Sequence, residues 1–211
     1  YAYRGYMTGY AMLQSSTVAT EAWFPLALLG VYLSVVKNRT IAGAVIAAVA
    51  AALMLLAGGP QTAFYLMVAL MAYLAFCIST KFNGIKSQVI AFGWRALFIG
   101  GFAIGLAAAQ LLPMLELAGE SFRVVDQSYS DKSSGFALWE LIRMVVPAPA
   151  GQWSPLYTSP VTLLLAGAGL LSCMGREAWF WAGLSVVALA LSLGSNSIVY
   201  DFFYAFIPGF D

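Results

Sequence analysis

No histidine occurs anywhere in this 211-residue chain, and only 9% of its residues are charged. The first absence removes the usual general base and the commonest metal ligand. The second excludes an ordinary soluble domain, where roughly a quarter of residues are charged. Cysteine is scarce as well. Cys77 and Cys173 stand far apart at the ends of apolar runs, with neither a Cys-x-x-Cys pair nor a disulfide framework. They read as small buried hydrophobes. The basic residues form no stripe, so no nucleic-acid partner is expected.

What the chain has in quantity is apolar side chain, 62% of the total. A protein this small has no core large enough to absorb that surface, so its solvent must be lipid, and the lipid bilayer is its first partner. The expected fold class is all-α, a polytopic transmembrane helix bundle of about six spans forming a single domain over 1–211. At about 20 apolar residues per span, the runs fall near 17–36, 41–58, 61–79, 96–115, 156–174 and 177–195. IAGAVIAAVAAALMLLAG and QTAFYLMVALMAYLAFCIS contain no charge to oppose insertion. The first run holds Glu21 and Pro25, so its carboxylate must sit near the outer edge or face protein or water. Alanines of the second run, with Gly101, Gly105, Gly167 and Gly169, are expected to allow close backbone approach within the bundle.

The basic residues set an orientation. Lys37 and Arg39 fall between spans one and two, Lys81, Lys86 and Arg95 between three and the body of four, and Arg176 between five and six. Short loops rich in Lys and Arg stay cytoplasmic. The 116–155 loop and both chain ends are then expected to face outward, and of the nine acidic residues only Glu177 lies inside. The chain begins at Tyr1 and stops at Asp211 after an aromatic run, and it is expected to be a fragment of a longer protein.

The outward face carries the candidate chemistry. AAAQLLPMLELAGESFR (107–123) ends span four with an amide, a proline and three charges. Gln110 lies inside the apolar run, where a lipid-facing amide would cost several kcal/mol, so it must face the bundle, bonded to a neighbouring helix or lining a cavity. Pro113 removes a backbone donor and is expected to bend the helix there. Glu116, Glu120 and Arg123, at i, i+4 and i+7, share one face of a continuing helix. They suit either a phosphate clamp with a nearby carboxylate or a solvated helix end. FALWELIRMVVP (136–147) reads as an amphipathic helix in the membrane interface, with Trp139 at headgroup depth around Glu140 and Arg143. The turn GGPQT (58–62) pairs a helix C-cap with a first-turn proline and brings Gln61 to the same surface.

Four blocks in order, LAGGPQTAFY (56–65), AAAQLLPMLELAGESFR (107–123), SPLYTSPVTLLLAGAGLL (154–171) and YDFFYAFIPGF (200–210), resemble the YfhO family of bacterial multi-span membrane proteins. The resemblance covers nearly the whole chain. It departs at SPLYTSP, where the family more often shows Tyr-Val-Gly or Tyr-Ile-Gly. That family is similar to the GT-C glycosyltransferases, which take a sugar from a polyprenyl-phosphate carrier on the outer face of the plasma membrane. The resemblance thus implies a polyprenyl-phosphate-linked sugar and a cell-envelope polymer acceptor as partners, with the principal catalytic acid upstream of Tyr1. Within the chain it points to Glu116 as the carboxylate for an acceptor hydroxyl, with Glu21 behind it. Arg123, then Arg143, would hold the phosphate; Gln110, Gln61 and Tyr129 would complete the substrate contacts, with Trp139 and Trp153 available to stack on sugar rings. No cofactor is expected, and no ligand set calls for a divalent metal. The alternatives are a transporter or lipid flippase, with Gln110 and Pro113 marking a broken helix, and a non-catalytic membrane scaffold.

Overall fold

Helix ends fall where the chain meets a residue that cannot extend the ladder. In the computed structural model, which describes residues 15–119, 135–146, 156–172 and 175–206, every regular element is helical and the described residues include no strand. The chain divides into two units, residues 11–119 and residues 1–10 with 120–211, taken separately below.

The first unit contains α1 (Ser15–Ala22), α2 (Phe24–Val35), α3 (Thr40–Leu56), α4 (Pro60–Lys81) and α5 (Ile85–Gly119). The interruption between α1 and α2 at Trp23 precedes Pro25, which lacks the N–H to continue the ladder. Ala27 N–H nevertheless reaches the Trp23 carbonyl at 3.1 Å, so Ser15–Val35 behaves as one apolar stretch. Asn38 and Gly58 close the next two connections in the left-handed region, with φ of 56° and 84°. Asparagine tolerates that conformation and glycine adopts it freely. Pro60 then opens α4 at the position where its missing donor costs nothing.

α3 is the centre of this unit, and α1, α2, α4 and α5 all pack on it. Ala44, Ala47, Ala48, Ala51 and Met54 along it are fully buried. The tightest contact joins α2 to α3. A Cβ on Gly30 would fall 2.8 Å from the Gly43 carbonyl oxygen and against the Ala47 amide. One on Gly43 would fall 2.6 Å from the Gly30 carbonyl oxygen and against the Ser34 amide. Only bare backbone fits, as in other small-residue helix crossings. Gly101, Gly105, Gly167 and Gly169, expected to serve this purpose, have nothing within 4 Å of their Cβ positions. At these four positions no described residue makes a close helix crossing.

Among the described residues, three helices are long and apolar enough to cross a membrane: Ser15–Val35, Pro60–Lys81 and Ile85–Leu117, of 21, 22 and 33 residues. At 1.5 Å per residue these reach about 31, 33 and 50 Å, against a hydrocarbon core of about 30 Å. The 17 residues of α3 span only about 25 Å. α5 departs most from expectation, starting at Ile85 rather than near 96. Lys86 is exposed and Arg95 is buried among partners, so neither charge ends the helix.

The second unit contains α6 (Pro160–Ser172), α7 (Arg176–Ser192) and α8 (Ile198–Phe206), with 3-10 turns at Leu138–Met144 and Gly194–Asn196. α6 packs on α7, and α8 on α7 and the 194–196 turn. No side chain of α6 or α7 is buried. These two helices, expected as spans over 156–174 and 177–195, run for 13 and 17 residues, short of the about 20 that cross a bilayer unaided. The expected amphipathic helix at 136–147 is a seven-residue 3-10 turn. Its ends are pinned: Phe136 N–H donates to the Ser192 carbonyl at 3.0 Å, and Thr158 N–H to the Met144 carbonyl at 3.1 Å. Seven residues is already long for a 3-10 ladder, whose side chains eclipse every third residue.

Candidate functional site

In the first unit, polar side chains gather where α1, α5 and the α3–α4 turn meet. Gly59 is buried against α1, and a Cβ there would lie 2.8 Å from Thr20 Oγ1. The Thr20 hydroxyl is fully buried and donates to the Ser16 carbonyl at 2.8 Å, which satisfies it within its own helix. Thr17 packs beside it, 7% exposed. The left-handed Gly58 opens the turn towards α5: Gln110 Nε2 lies 3.9 Å from where a Gly58 side chain would begin.

Gln110 is half-buried, and among the described residues its amide has no hydrogen-bond partner. Sequence reasoning left two readings, a bond to a neighbouring helix or the lining of a cavity, and no bond of the first kind is present among the described residues. Pro113 lies inside α5 without ending it, and its missing N–H deprives the Ala109 carbonyl, next to Gln110, of its ladder donor. An amide with two donors and an acceptor, an unladdered carbonyl one residue away and a bare glycine turn opposite can together receive a hydroxyl-bearing or phosphate-bearing group.

The other predicted residues are placed as follows. Gln61 is exposed on the first turn of α4, where its Nε2 donates to the Tyr65 hydroxyl at 3.3 Å. It starts from the same turn that Gln110 faces, so both amides occupy one end of the unit. Glu116 is exposed near the end of α5, without an ion-pair or hydrogen-bond partner among the described residues. It is six residues beyond Gln110, about 9 Å farther along and about 120° around an ideal helix, so the two do not share a face. Glu21 is half-buried one residue beyond Thr20 at the same end. Glu120, Arg123, Tyr129 and Trp153 lie outside the described residues.

Arg143 belongs to the second unit. Its guanidinium stacks over the Trp139 ring at 5.5 Å. The Glu140 carboxylate accepts the Ala137 N–H at 2.9 Å and closes the start of the 3-10 turn. Leu138, Trp139 and Ile142 remain more than 60% exposed beside these half-buried charges, an arrangement suited to an apolar surround.

No protein-family model, curated protein or solved structure matches this chain.

Sequence reasoning missed one functional candidate altogether. Arg95, treated as a topological charge near the start of a span, is 5% exposed within α5. Its Nε–H donates to Ser34 Oγ at 3.2 Å, and Nη1 to the Ala91 carbonyl at 3.0 Å. Ser34 Oγ in turn donates to the Thr40 carbonyl at 3.0 Å. The Trp94 and Phe82 ring centroids lie 4.7 and 5.7 Å from the guanidinium carbon. The available signal was Ser34, a small polar residue next to the end of an otherwise apolar helix. Among the described residues no three His, Cys, Asp or Glu side chains cluster to hold a metal.

Proposed function

We propose that this chain is the membrane part of a GT-C-like glycosyltransferase of YfhO type, crossing a bacterial plasma membrane six times with 116–155 as its outer loop. It would move a sugar from a polyprenyl-phosphate carrier to a cell-envelope acceptor at the outer boundary. The observation that carries this reading is the unbonded, half-buried amide of Gln110 facing the Gly58–Gly59 turn. A burial cost of that kind is tolerated where a ligand repays it. The resemblance of the motif blocks around the same residues supports the family, and the gathering of Thr17, Thr20, Glu21, Gln61 and Gln110 at one end of the unit is consistent with a site there. Arg123 would clamp the phosphate, and Glu116 would orient the acceptor hydroxyl from the rim, away from the Gln110 face. α6 and α7, too short to cross alone, would complete their spans with the residues that flank them.

The transporter reading requires a helix broken near mid-membrane, and α5 continues unbroken through Pro113. The deciding experiment compares Gln110→Ala, Glu116→Gln and Arg123→Ala in the full-length protein. Envelope-polymer glycosylation should fall at least tenfold in each, at unchanged membrane abundance. Normal sugar content in a well-inserted Gln110→Ala variant would remove the amide from the mechanism and the reading with it.

A further inference from the structure

The opposite end of the first unit presents a different chemistry. Lys37 and Arg39 on the α2–α3 connection, Lys81 at the end of α4, Lys86 at the start of α5 and buried Arg95 all collect there. The described carboxylates of this unit, Glu21 and Glu116, are both at the far end. Lys81 Nζ donates to the Val36 carbonyl at 3.3 Å and Lys37 lies 5.9 Å from the Tyr32 ring, so these cations are neutralised by no acid of the unit.

Arg95 is the pivotal member. A guanidinium has five N–H donors, and Arg95 spends two of them, on Ser34 and Ala91. The remaining three belong to a side chain that is 95% covered and has no carboxylate partner among the described residues. A buried charge in that position requires a counter-charge, and the fork of a guanidinium is shaped for the oxygens of a phosphate.

We propose that Arg95, with the lysines at the same end of the unit, binds the phosphate of an anionic membrane phospholipid. The lipid source is chosen over a soluble phosphate because the Trp94 ring, stacked on the guanidinium, links it to an exposed apolar face about 120° around α5 from Arg95. Ile90, Trp94 and Leu97 follow one another at i, i+4 and i+7 along an exposed face of α5, at 60%, 37% and 78% exposure. Gly101 and Gly105 continue that face towards the other end of the helix with open space where a Cβ would stand. A headgroup held at Arg95 sends its acyl chains along this apolar, notched face. A free phosphate has no use for it.

The test takes the full-length protein in neutral detergent and follows thermal unfolding during titration with phosphatidylglycerol, phosphatidylcholine or soluble glycerol phosphate. Phosphatidylglycerol should raise Tm by several degrees more than phosphatidylcholine does, and glycerol phosphate should have little effect. Arg95→Gln should lose most of the phosphatidylglycerol increment, whereas Arg176→Gln in the second unit should keep it. Lys81→Gln and Lys86→Gln should each weaken apparent phosphatidylglycerol affinity roughly fivefold. An increment retained in Arg95→Gln would overturn the site, and a full increment from glycerol phosphate would overturn its assignment to lipid. Should Arg95→Gln not fold, brominated lipids decide the matter in the unmodified protein. The component of tryptophan fluorescence lost in Trp94→Phe should be quenched more by brominated phosphatidylglycerol than by brominated phosphatidylcholine, and equal quenching would refute the proposal.

Discussion

A methyl group at Gly43 has nowhere to go. Its carbon would meet the Gly30 carbonyl oxygen and the Ser34 backbone, neither of which is the end of a flexible side chain. Gly43→Ala must therefore push α2 and α3 apart, and overpacking of this kind costs about 1–3 kcal/mol. Gly101→Ala has open space and removes a helix-weakening residue, so it should be neutral or stabilising by up to about 1 kcal/mol. Thermal unfolding of the two variants side by side should show Tm moving down for the first and level or up for the second. Ser34→Ala makes a related point. The fully buried hydroxyl accepts from Arg95 and donates to Thr40, so its loss strands a donor and an acceptor. A cost of about 1–3 kcal/mol is expected for each buried group left unsatisfied, read as a lower Tm; Ser34→Thr, which retains the hydroxyl, is the matched comparison. Neither role was legible in the sequence. Gly30-x-x-x-Ser34 and Gly43-x-x-x-Ala47 have the small-residue spacing that permits a close crossing, but Gly101-x-x-x-Gly105 has it too and crosses nothing. Spacing shows which faces are able to pack tightly, and the topology decides which ones meet.

Whole elements were easier to read, because their ends depend on local chemistry. The Gly-Gly-Pro turn at 58–60 lies where its backbone preferences put it, and the alanine-rich run is the covered helix its composition suggests. The start of α5 was misplaced because Lys86 and Arg95 resemble loop charges. One extends into the surround, and the other is absorbed by tertiary partners that no local window contains. The 3-10 turn at Leu138–Met144 was anticipated as a longer amphipathic helix, and its anchors at Ser192 and Thr158 are likewise distant in sequence. Its start depends on Glu140. Glu140→Ala removes the acceptor for the Ala137 N–H, and losing a cap of this sort costs about 1 kcal/mol. Amide hydrogen exchange across 135–146 should then speed up roughly fivefold, with exchange in α3 unchanged. Exchange that stays the same in both segments would mean that the Ser192 and Thr158 anchors hold the turn without its cap.

Across the molecule, charge is sorted by position along the first unit. Every described cation of that unit is at the end carrying the α2–α3 and α4–α5 connections, while its two carboxylates are at the other. About 15 residues of α5 separate Arg95 from Gln110, roughly 22 Å of helix, so the two ends lie near opposite faces of a hydrocarbon core about 30 Å thick. Under the positive-inside bias, the proposed orientation puts the basic end in the cytoplasm. The proposed six-span path carries that assignment to the second unit, where Gly175, between α6 and α7, must share the compartment of Asn38. Asn38→Cys, Gln61→Cys and Gly175→Cys, each made with Cys77 and Cys173 replaced by alanine, separate the cases with a membrane-impermeant thiol reagent. Gly175 suits the purpose, as nothing lies within 4 Å of its Cβ position. Gln61→Cys should react from outside intact cells, and the other two only after permeabilisation. External labelling at Gly175→Cys with Asn38→Cys still protected would leave the first unit spanning as described and exclude the fifth crossing. The 116–155 segment would then lose its place as an outer loop between spans four and five, along with the acceptor chemistry proposed for it.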